Sequence, residues 1–168
     1  MSAAECLVMK NAPRKPYRRV LIAVDGSGNS DCQIRQAHEL APDAELIVVH
    51  AMDHYQGNRA GFSNAFDDEL RELRIRQHER ALDMMTRLLE NCGVPLRKAV
   101  KVAEFGHAPE LILDKERQFA ADLVVIGQAS KSWFRRLFFG GTTSRILART
   151  QCDVLIVPAK EHGLTGTM

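Results

Sequence analysis

Five short apolar runs with few polar interruptions are spaced along the chain. They are Val20–Val24, Leu46–Ala51, Ala99–Ala103, Leu123–Ile126 and Val154–Val157. Runs of this length are typical of strands that helices cover on both faces. Between them, apolar residues recur at helical spacing, as at Ile34, Ala37 and Leu40. The pattern predicts an α/β fold with a five-stranded, mostly parallel open sheet, helices on both faces and right-handed crossovers.

Capping and breaking residues predict four helices between these strands. Asn29 or Ser30 can cap the first helix, and the acidic run 67–69 opens a long second helix after a loop over 53–66. Pro109 suits the first turn of the third helix. The run 142–144 caps a short fourth helix.

Length and charge indicate one domain with a basic arm. The chain has 168 residues and a formal charge of +2. Residues 1–19 hold five basic residues and a single acid, Glu5. We expect a basic N-terminal arm over 1–16, a folded domain over 17–158 and a C-terminal tail over 159–168. A solvated, frayed terminus is favoured for the arm over a contact with an acidic partner.

Targeting signals and cysteine motifs are not apparent in the sequence. The apolar patch Cys6–Met9 precedes the basic residues and is short, the reverse of a secretory signal. No apolar run approaches the ~18 residues that a membrane span needs. Cys6, Cys32, Cys92 and Cys152 form no Cys-x-x-Cys pair, so we expect buried thiols in a reducing compartment. The sequence predicts a cytoplasmic protein with no membrane contact.

A glycine-containing segment follows the fourth predicted strand. It reads Gly127-Gln128-Ala129-Ser130, then nine residues, then Gly140-Gly141-Thr142-Thr143. Glycines at the start of a helix allow backbone amides to approach a phosphate, and the helix dipole favours its charge. The alternative interpretation, two tight turns without a ligand, is equally consistent with this segment alone.

This segment resembles the G-x2-G-x9-G-[ST] motif of nucleotide-binding members of the universal stress protein family. The likeness extends to the run Val20–Ser27, with its Asp-Gly-Ser turn, and to the last helix and strand, and it covers roughly 17–158. It implies a Rossmann-like, adenine nucleotide alpha hydrolase-like fold. It also implies a regulatory stress-response module that binds ATP or AMP, with Mg²⁺ when the ligand is ATP.

Carried over residue by residue, the resemblance implies a nucleotide site at the carboxyl end of the sheet. Its candidate residues are Ala23, Val24, Asp25, Ala51, Ile126, Gly127, Ser130, Gly140, Gly141 and Thr142. The first four would meet adenine and ribose, Ile126 and Gly127 would line the ribose side, and the others would hold phosphates. Ser130 and Gly141 depart from the motif, which has glycine and Ser/Thr there.

Catalytic and metal motifs are not found. His50 and His54 are four residues apart, but His54 falls in the predicted loop, where helical spacing does not bring two side chains together. A P-loop lysine is not present. His50 is interpreted as a hydrogen-bonded packing residue, and Ser27 as part of a turn that helps bind phosphate. We therefore expect no catalytic residues, although slow ATP hydrolysis stays open.

The last strand suggests a partner. Val154–Val157 is short and apolar, and the resemblance implies a homodimer through this strand. Nucleic acid is not expected as a partner. An alternative function is a dimeric protein-interaction module of the same fold that binds no nucleotide. An ATP pyrophosphatase-like enzyme is a third hypothesis, which the sequence supports less well than the other two.

Overall fold

The computed structural model describes residues 6–8, 10, 16–53, 64–127 and 142–158. The strands are β1 (Cys6–Val8), β2 (Arg19–Ala23), β3 (Glu45–Met52), β4 (Ala99–Phe105), β5 (Leu123–Gly127) and β6 (Asp153–Val157). The helices are α1 (Ser30–Leu40), α2 (Asn64–Asn91), α3 (Ala108–Phe119) and α4 (Thr142–Arg149), with a 3₁₀ turn at Leu96–Lys98.

The strands form one sheet in the order β1-β6-β5-β2-β3-β4. All neighbouring strands from β6 to β4 are parallel, so the five predicted strands have the order 3-2-1-4-5 when counted along the chain. The predicted parallel open sheet is confirmed. The order reverses beside β2, which pairs with β5 on one side and β3 on the other.

Two apolar layers hold helices against the sheet. Alternate strand residues such as Val20 and Ile22 pack with α1 and α2, where Met85 and Leu89 are fully buried. The residues between them, such as Leu21, pack with α3 and α4. Burial on both faces explains why the strands are apolar throughout.

Helix α2 begins earlier than predicted. Its first residue is Asn64, so 64–66 belong to the helix and not to the loop. None of Asn64, Ala65 and Phe66 is a helix breaker, and the acidic run 67–69 still lies close to the positive end of the helix dipole.

The prediction of a frayed N-terminal arm is wrong for residues 6–8. These residues form β1, which pairs antiparallel with β6 so that Cys6, Leu7 and Val8 lie opposite Ile156, Leu155 and Val154. A three-residue apolar run gives little local signal, and its partner strand lies at the other end of the chain. The sheet therefore has six strands, and the outer edge of β6 is occupied.

Asp153, at the start of β6, links the N-terminal residues to the domain. Its side chain accepts a hydrogen bond from the backbone N–H of Lys10 at 2.7 Å and another from the hydroxyl of Tyr17 at 2.9 Å. Asp153 is only 4% exposed. Burial, together with the hydrogen bond and charge of Asp153, raises the pKa of Tyr17 to about 12.

Cys32, Cys92 and Cys152 are free thiols. Cys152 is buried, and burial raises its pKa to about 12, whereas the other two are half-buried. In the described part of the chain, no helix has the length and apolar character to cross a membrane.

The Tyr17–Asp153 contact predicts a pH effect on stability. Because the pKa of Tyr17 is about 12 in the folded protein against an ordinary 10.0, the protonated phenol stabilises the fold below pH 10. That contribution is lost as the pH rises towards 12. With Tyr55→Phe leaving one tyrosine, phenolate absorbance should appear at higher pH in the folded protein than in urea. Ionisation at the same pH in both states would contradict this assignment.

Candidate functional site at the carboxyl ends of β2, β3 and β5

The carboxyl ends of three parallel strands meet where the strand order reverses. Ala23 of β2 lies opposite Ile126 of β5 and Val49 of β3. The segments that leave these strands, with Asp25, Ala51 and Gly127, are therefore neighbours at one edge. Open α/β sheets bind ligands at this position.

Six of the ten predicted site residues lie at this edge: Ala23, Val24, Asp25, Ala51, Ile126 and Gly127. Ser130, Gly140 and Gly141 lie outside the described residues, as do the basic residues 131, 135 and 136 of the same segment. Thr142 is the first residue of α4, and its side chain is likewise outside the described part.

The two faces of the sheet differ at this end. Ala23, Ala51 and Ile126 belong to the layer shared with α3 and α4, whereas Val24 packs on the side of α1 and α2. Two of the three residues on the α3–α4 side are alanines. The small side chains leave more room on this side for a planar apolar group than larger residues would.

The Asp25 turn is held by its own polar groups. Oδ1 of Asp25 accepts the backbone N–H of Ser27 at 2.9 Å and the hydroxyl of Ser30 at 3.3 Å. Gly26 has φ +76°, a conformation that favours glycine. Among the described residues, both hydrogen bonds to the Asp25 carboxylate are accepted by Oδ1. Oδ2 is therefore the oxygen that could accept a hydrogen bond from a ligand.

The Ser27 hydroxyl accepts the backbone N–H of Asn29 at 3.4 Å, which agrees with the interpretation of Ser27 as a turn residue. Asn29 holds the N-cap position of α1, as one of the two predicted alternatives, but its side chain makes no hydrogen bond at that cap. The other alternative, Ser30, turns its hydroxyl to Asp25 instead.

His50 is a packing residue, as predicted. Its Nδ1 lies 2.9 Å from the carbonyl oxygen of Val24, so the ring donates this hydrogen bond. The backbone N–H of Val24 donates a hydrogen bond of 2.9 Å to the carbonyl oxygen of Val49. These bonds fix the backbone just before Asp25. Within the described residues, no group of acidic, histidine or cysteine side chains could hold a metal ion.

Gln33 of α1 is a site residue that sequence reasoning missed. Its side-chain Nε2 donates to the carbonyl of Ala23 at 3.1 Å, and the residue is 3% exposed. A Cβ atom on Gly127 would lie 2.3 Å from that Nε2 and 3.0 Å from Nδ2 of Asn29. The structure thus gives a second reason for glycine at 127, besides the ligand approach that the motif suggests. A glutamine within the apolar stripe of Ile34 and Ala37 was the available signal.

Charged residues border the α3–α4 side of the site. The side chain of His107 hydrogen-bonds Glu110 in the first turn of α3, and this bond lowers the pKa of the Glu110 carboxyl. Arg145 in the first turn of α4 lies 3.8 Å from the same carboxylate. Both partners are largely exposed, so this ion pair orients the two helix starts and adds little stability.

Comparison with known proteins identifies the family. The model of the universal stress protein family matches residues 16–158. The chain belongs to this family. A curated relative, universal stress protein A homolog 2 of Coxiella burnetii, is 24% identical over 147 residues, which cover 86% of this chain and 97% of the relative.

Solved universal stress proteins share the fold. The protein UspA of Lactobacillus plantarum superposes with a TM-score of 0.66 at 23% identity, covering 86% of this chain and 99% of that one. A universal stress protein solved in complex with cAMP has a TM-score of 0.55 at 22% identity, covering 85% and 98%. The sequence-based resemblance and the predicted adenine nucleotide alpha hydrolase-like fold are therefore confirmed.

The contact between Gly127 and Gln33 predicts that substitutions at the two positions have coupled effects on the free energy of unfolding. Gly127→Ala should force the Gln33 amide away from the Ala23 carbonyl and cost about 1–3 kcal/mol of unfolding free energy. In a Gln33→Ala background the same substitution should cost clearly less, as a urea double-mutant cycle would measure. Gly28→Ala is the control, since a Cβ there meets nothing within 4 Å. Additive effects of the first two substitutions would show that the contact is not significant.

Proposed function

We propose that this universal stress protein binds an adenine nucleotide, ATP or AMP, at the carboxyl ends of β2, β3 and β5, and acts as a regulatory module. The supporting observation is the adjacency of the Asp25 turn and Gly127 where the strand order reverses. Family members of this fold include one solved with cAMP, which is also an adenine nucleotide.

The α3–α4 side of the edge suits the base. Ala51 is partly exposed at this edge, and the apolar residues Ala23 and Ile126 are buried beside it. Ligand sites combine apolar surface with a few polar groups. Main-chain groups at Ala51 would contact the adenine. The buried Gln33 amide lies on the α1 side of the sheet, so it does not occupy the side proposed for the base.

Asp25 suits the ribose. Its Oδ1 is fixed within the turn, which orients the side chain before a ligand arrives. Oδ2 would accept hydrogen bonds from ribose hydroxyls. A carboxylate that is already held in place pays little ordering entropy on binding.

The phosphates would lie at the start of α4. Backbone N–H groups at a helix N-terminus attract anions, and Thr142 begins this helix. Ser130, Gly140 and Gly141 would complete the cradle, with the Ser130 hydroxyl and the Gly141 N–H as donors. With ATP, Mg²⁺ would be held mainly by the phosphates themselves.

Regulation is proposed in preference to catalysis. The Ser27 hydroxyl serves its own turn, and the Nδ1 of His50 donates to Val24. Neither group is therefore arranged as a nucleophile and its base. Slow hydrolysis by water remains compatible with this proposal.

A second candidate function is a protein-interaction module that binds no nucleotide. Ser130 and Gly141 depart from the motif, and both departures favour this alternative. Heat extraction of the purified protein distinguishes the two candidate functions. Co-purified AMP or ATP in the extract supports nucleotide binding. Extracts without nucleotide, together with no thermal shift in millimolar ATP, support the alternative.

Two substitutions test the placement of the ligand. Gly140→Val should abolish binding of ATP measured by calorimetry while leaving the fold intact, because side-chain bulk would enter the phosphate cradle. Asp25→Ala should weaken binding by ~1–3 kcal/mol, the cost of losing hydrogen bonds to a charged group.

Asp43→Ala is the matched control for Asp25, since Asp43 is an exposed carboxylate in the loop between α1 and β3, at the other end of the sheet. It should bind ATP as the unchanged protein does. Unaltered affinity in Gly140→Val would refute the phosphate placement, and equal losses in the two aspartate variants would refute the role of Asp25.

A further inference from the structure

Acidic side chains outnumber basic ones around the candidate site. In the described residues that directly follow β2, β3 and β4 or form the first turns of α3 and α4, the carboxylates are those of Asp25, Asp53 and Glu110. The same stretches hold the guanidinium of Arg145 and no lysine. Phosphate groups would add negative charge here, and like charges repel at short range. Arg145 is therefore the side chain in these stretches that can offset the charge of a nucleotide.

Arg145 is held loosely by its ion pair. Its Nη1 lies 3.8 Å from Oε1 of Glu110, which is beyond hydrogen-bonding distance. The Arg145 side chain is 61% exposed and that of Glu110 is 51% exposed. Exposed ion pairs contribute little to stability, so the guanidinium can leave Glu110 at a small cost in free energy.

Glu110 keeps a partner when Arg145 leaves. Its Oε2 is hydrogen-bonded to Nδ1 of His107, the residue just before α3, and this bond is the main cause of the lowered pKa of the Glu110 carboxyl. The two contacts use different oxygens of the carboxylate, since Arg145 faces Oε1. Departure of the arginine therefore leaves the charge of Glu110 hydrogen-bonded rather than isolated.

The Arg145 side chain starts out towards the beginning of α4. In an α-helix the Cα–Cβ bond tilts towards the N-terminus, where the first backbone N–H groups have no partner within the helix. Arg145 lies in the first turn of α4, so an anion at the start of this helix would be within reach of its guanidinium. The contact with Glu110 already shows that this guanidinium is accessible to a negative group.

We propose that Arg145 exchanges partners when a nucleotide binds, leaving Glu110 for a phosphate oxygen. The exchange rests on the proposed function and adds a preference among adenine compounds. ATP, which carries more negative charge than AMP, gains more affinity from the guanidinium, and adenosine gains none. Phosphate is the stronger competitor because a guanidinium can bind it through two short, parallel hydrogen bonds, whereas the contact with Glu110 is longer than a hydrogen bond.

Titration calorimetry with ATP, AMP and adenosine tests the exchange, at one ionic strength and without Mg²⁺, which would cancel part of the ATP charge. Arg145→Ala should weaken ATP binding about tenfold, AMP binding less, and adenosine binding not at all. Arg145→Lys, which keeps the charge but not the two parallel hydrogen bonds, should have an intermediate affinity for ATP. Arg149→Ala is the matched control, since Arg149 is exposed at the other end of α4, and it should change none of the three affinities.

Glu110→Gln should have the opposite effect. It frees Arg145 in advance, so the affinity for ATP should rise about two- to threefold. Removal of a negative charge also favours any anion nearby, so the substitution is repeated in the Arg145→Ala background, where the exchange predicts no comparable gain. Asp114→Asn is the matched control: Asp114 is an exposed carboxylate one turn later on α3, and its loss should leave the affinity for ATP unchanged.

The results distinguish the exchange from nucleotide binding itself, with thermal melting to verify that each variant is folded. A protein that binds none of the three ligands overturns the proposed function and the exchange together. ATP binding that Arg145→Ala and Arg149→Ala affect equally overturns the exchange alone. Equal losses of ATP and adenosine affinity in Arg145→Ala do the same, as does an equal gain from Glu110→Gln with and without Arg145.

Discussion

The parallel pairing of β2 with β5 is the constraint on which the candidate site depends. It sets Ala23 opposite Ile126, so the turn after β2 and the segment after β5 must start side by side. In the sequence these two segments are about a hundred residues apart. The hydrogen bonds from the Gln33 side chain of α1 to Ala23 and from the His50 side chain of β3 to Val24 then hold the end of β2 in place.

The fold could largely be predicted from the sequence because it follows from local patterns, and the same patterns place the candidate site at one edge of the sheet. Unbroken apolar runs such as Val20–Val24 report burial on both faces, and parallel strands place their following turns at one edge. The family motif then supplied residue-level candidates. The six that the structure describes at this edge meet there because of strand register.

What the sequence did not reveal are contacts between distant side chains and short strands. Lys10 and Asp153 are separated by 143 positions, and no local pattern relates them. The three residues of β1 are too few for a periodic signal, so the sequence did not reveal that β1 covers the edge of β6. Gln33 was missed for another reason: it stands beside the apolar positions Ile34 and Ala37, and only the folded structure shows that its amide binds the carbonyl of a strand residue.

The most direct measurement of the central claim is a titration of isotope-labelled protein with AMP, followed by amide chemical shifts. If the nucleotide binds beside the reversal in strand order, shift changes will concentrate at Asp25, Ala51 and Gly127. The amides of Arg19 and Asp122, at the amino ends of β2 and β5, will stay unchanged. Changes centred on that opposite end, or none at saturating AMP, would contradict the account.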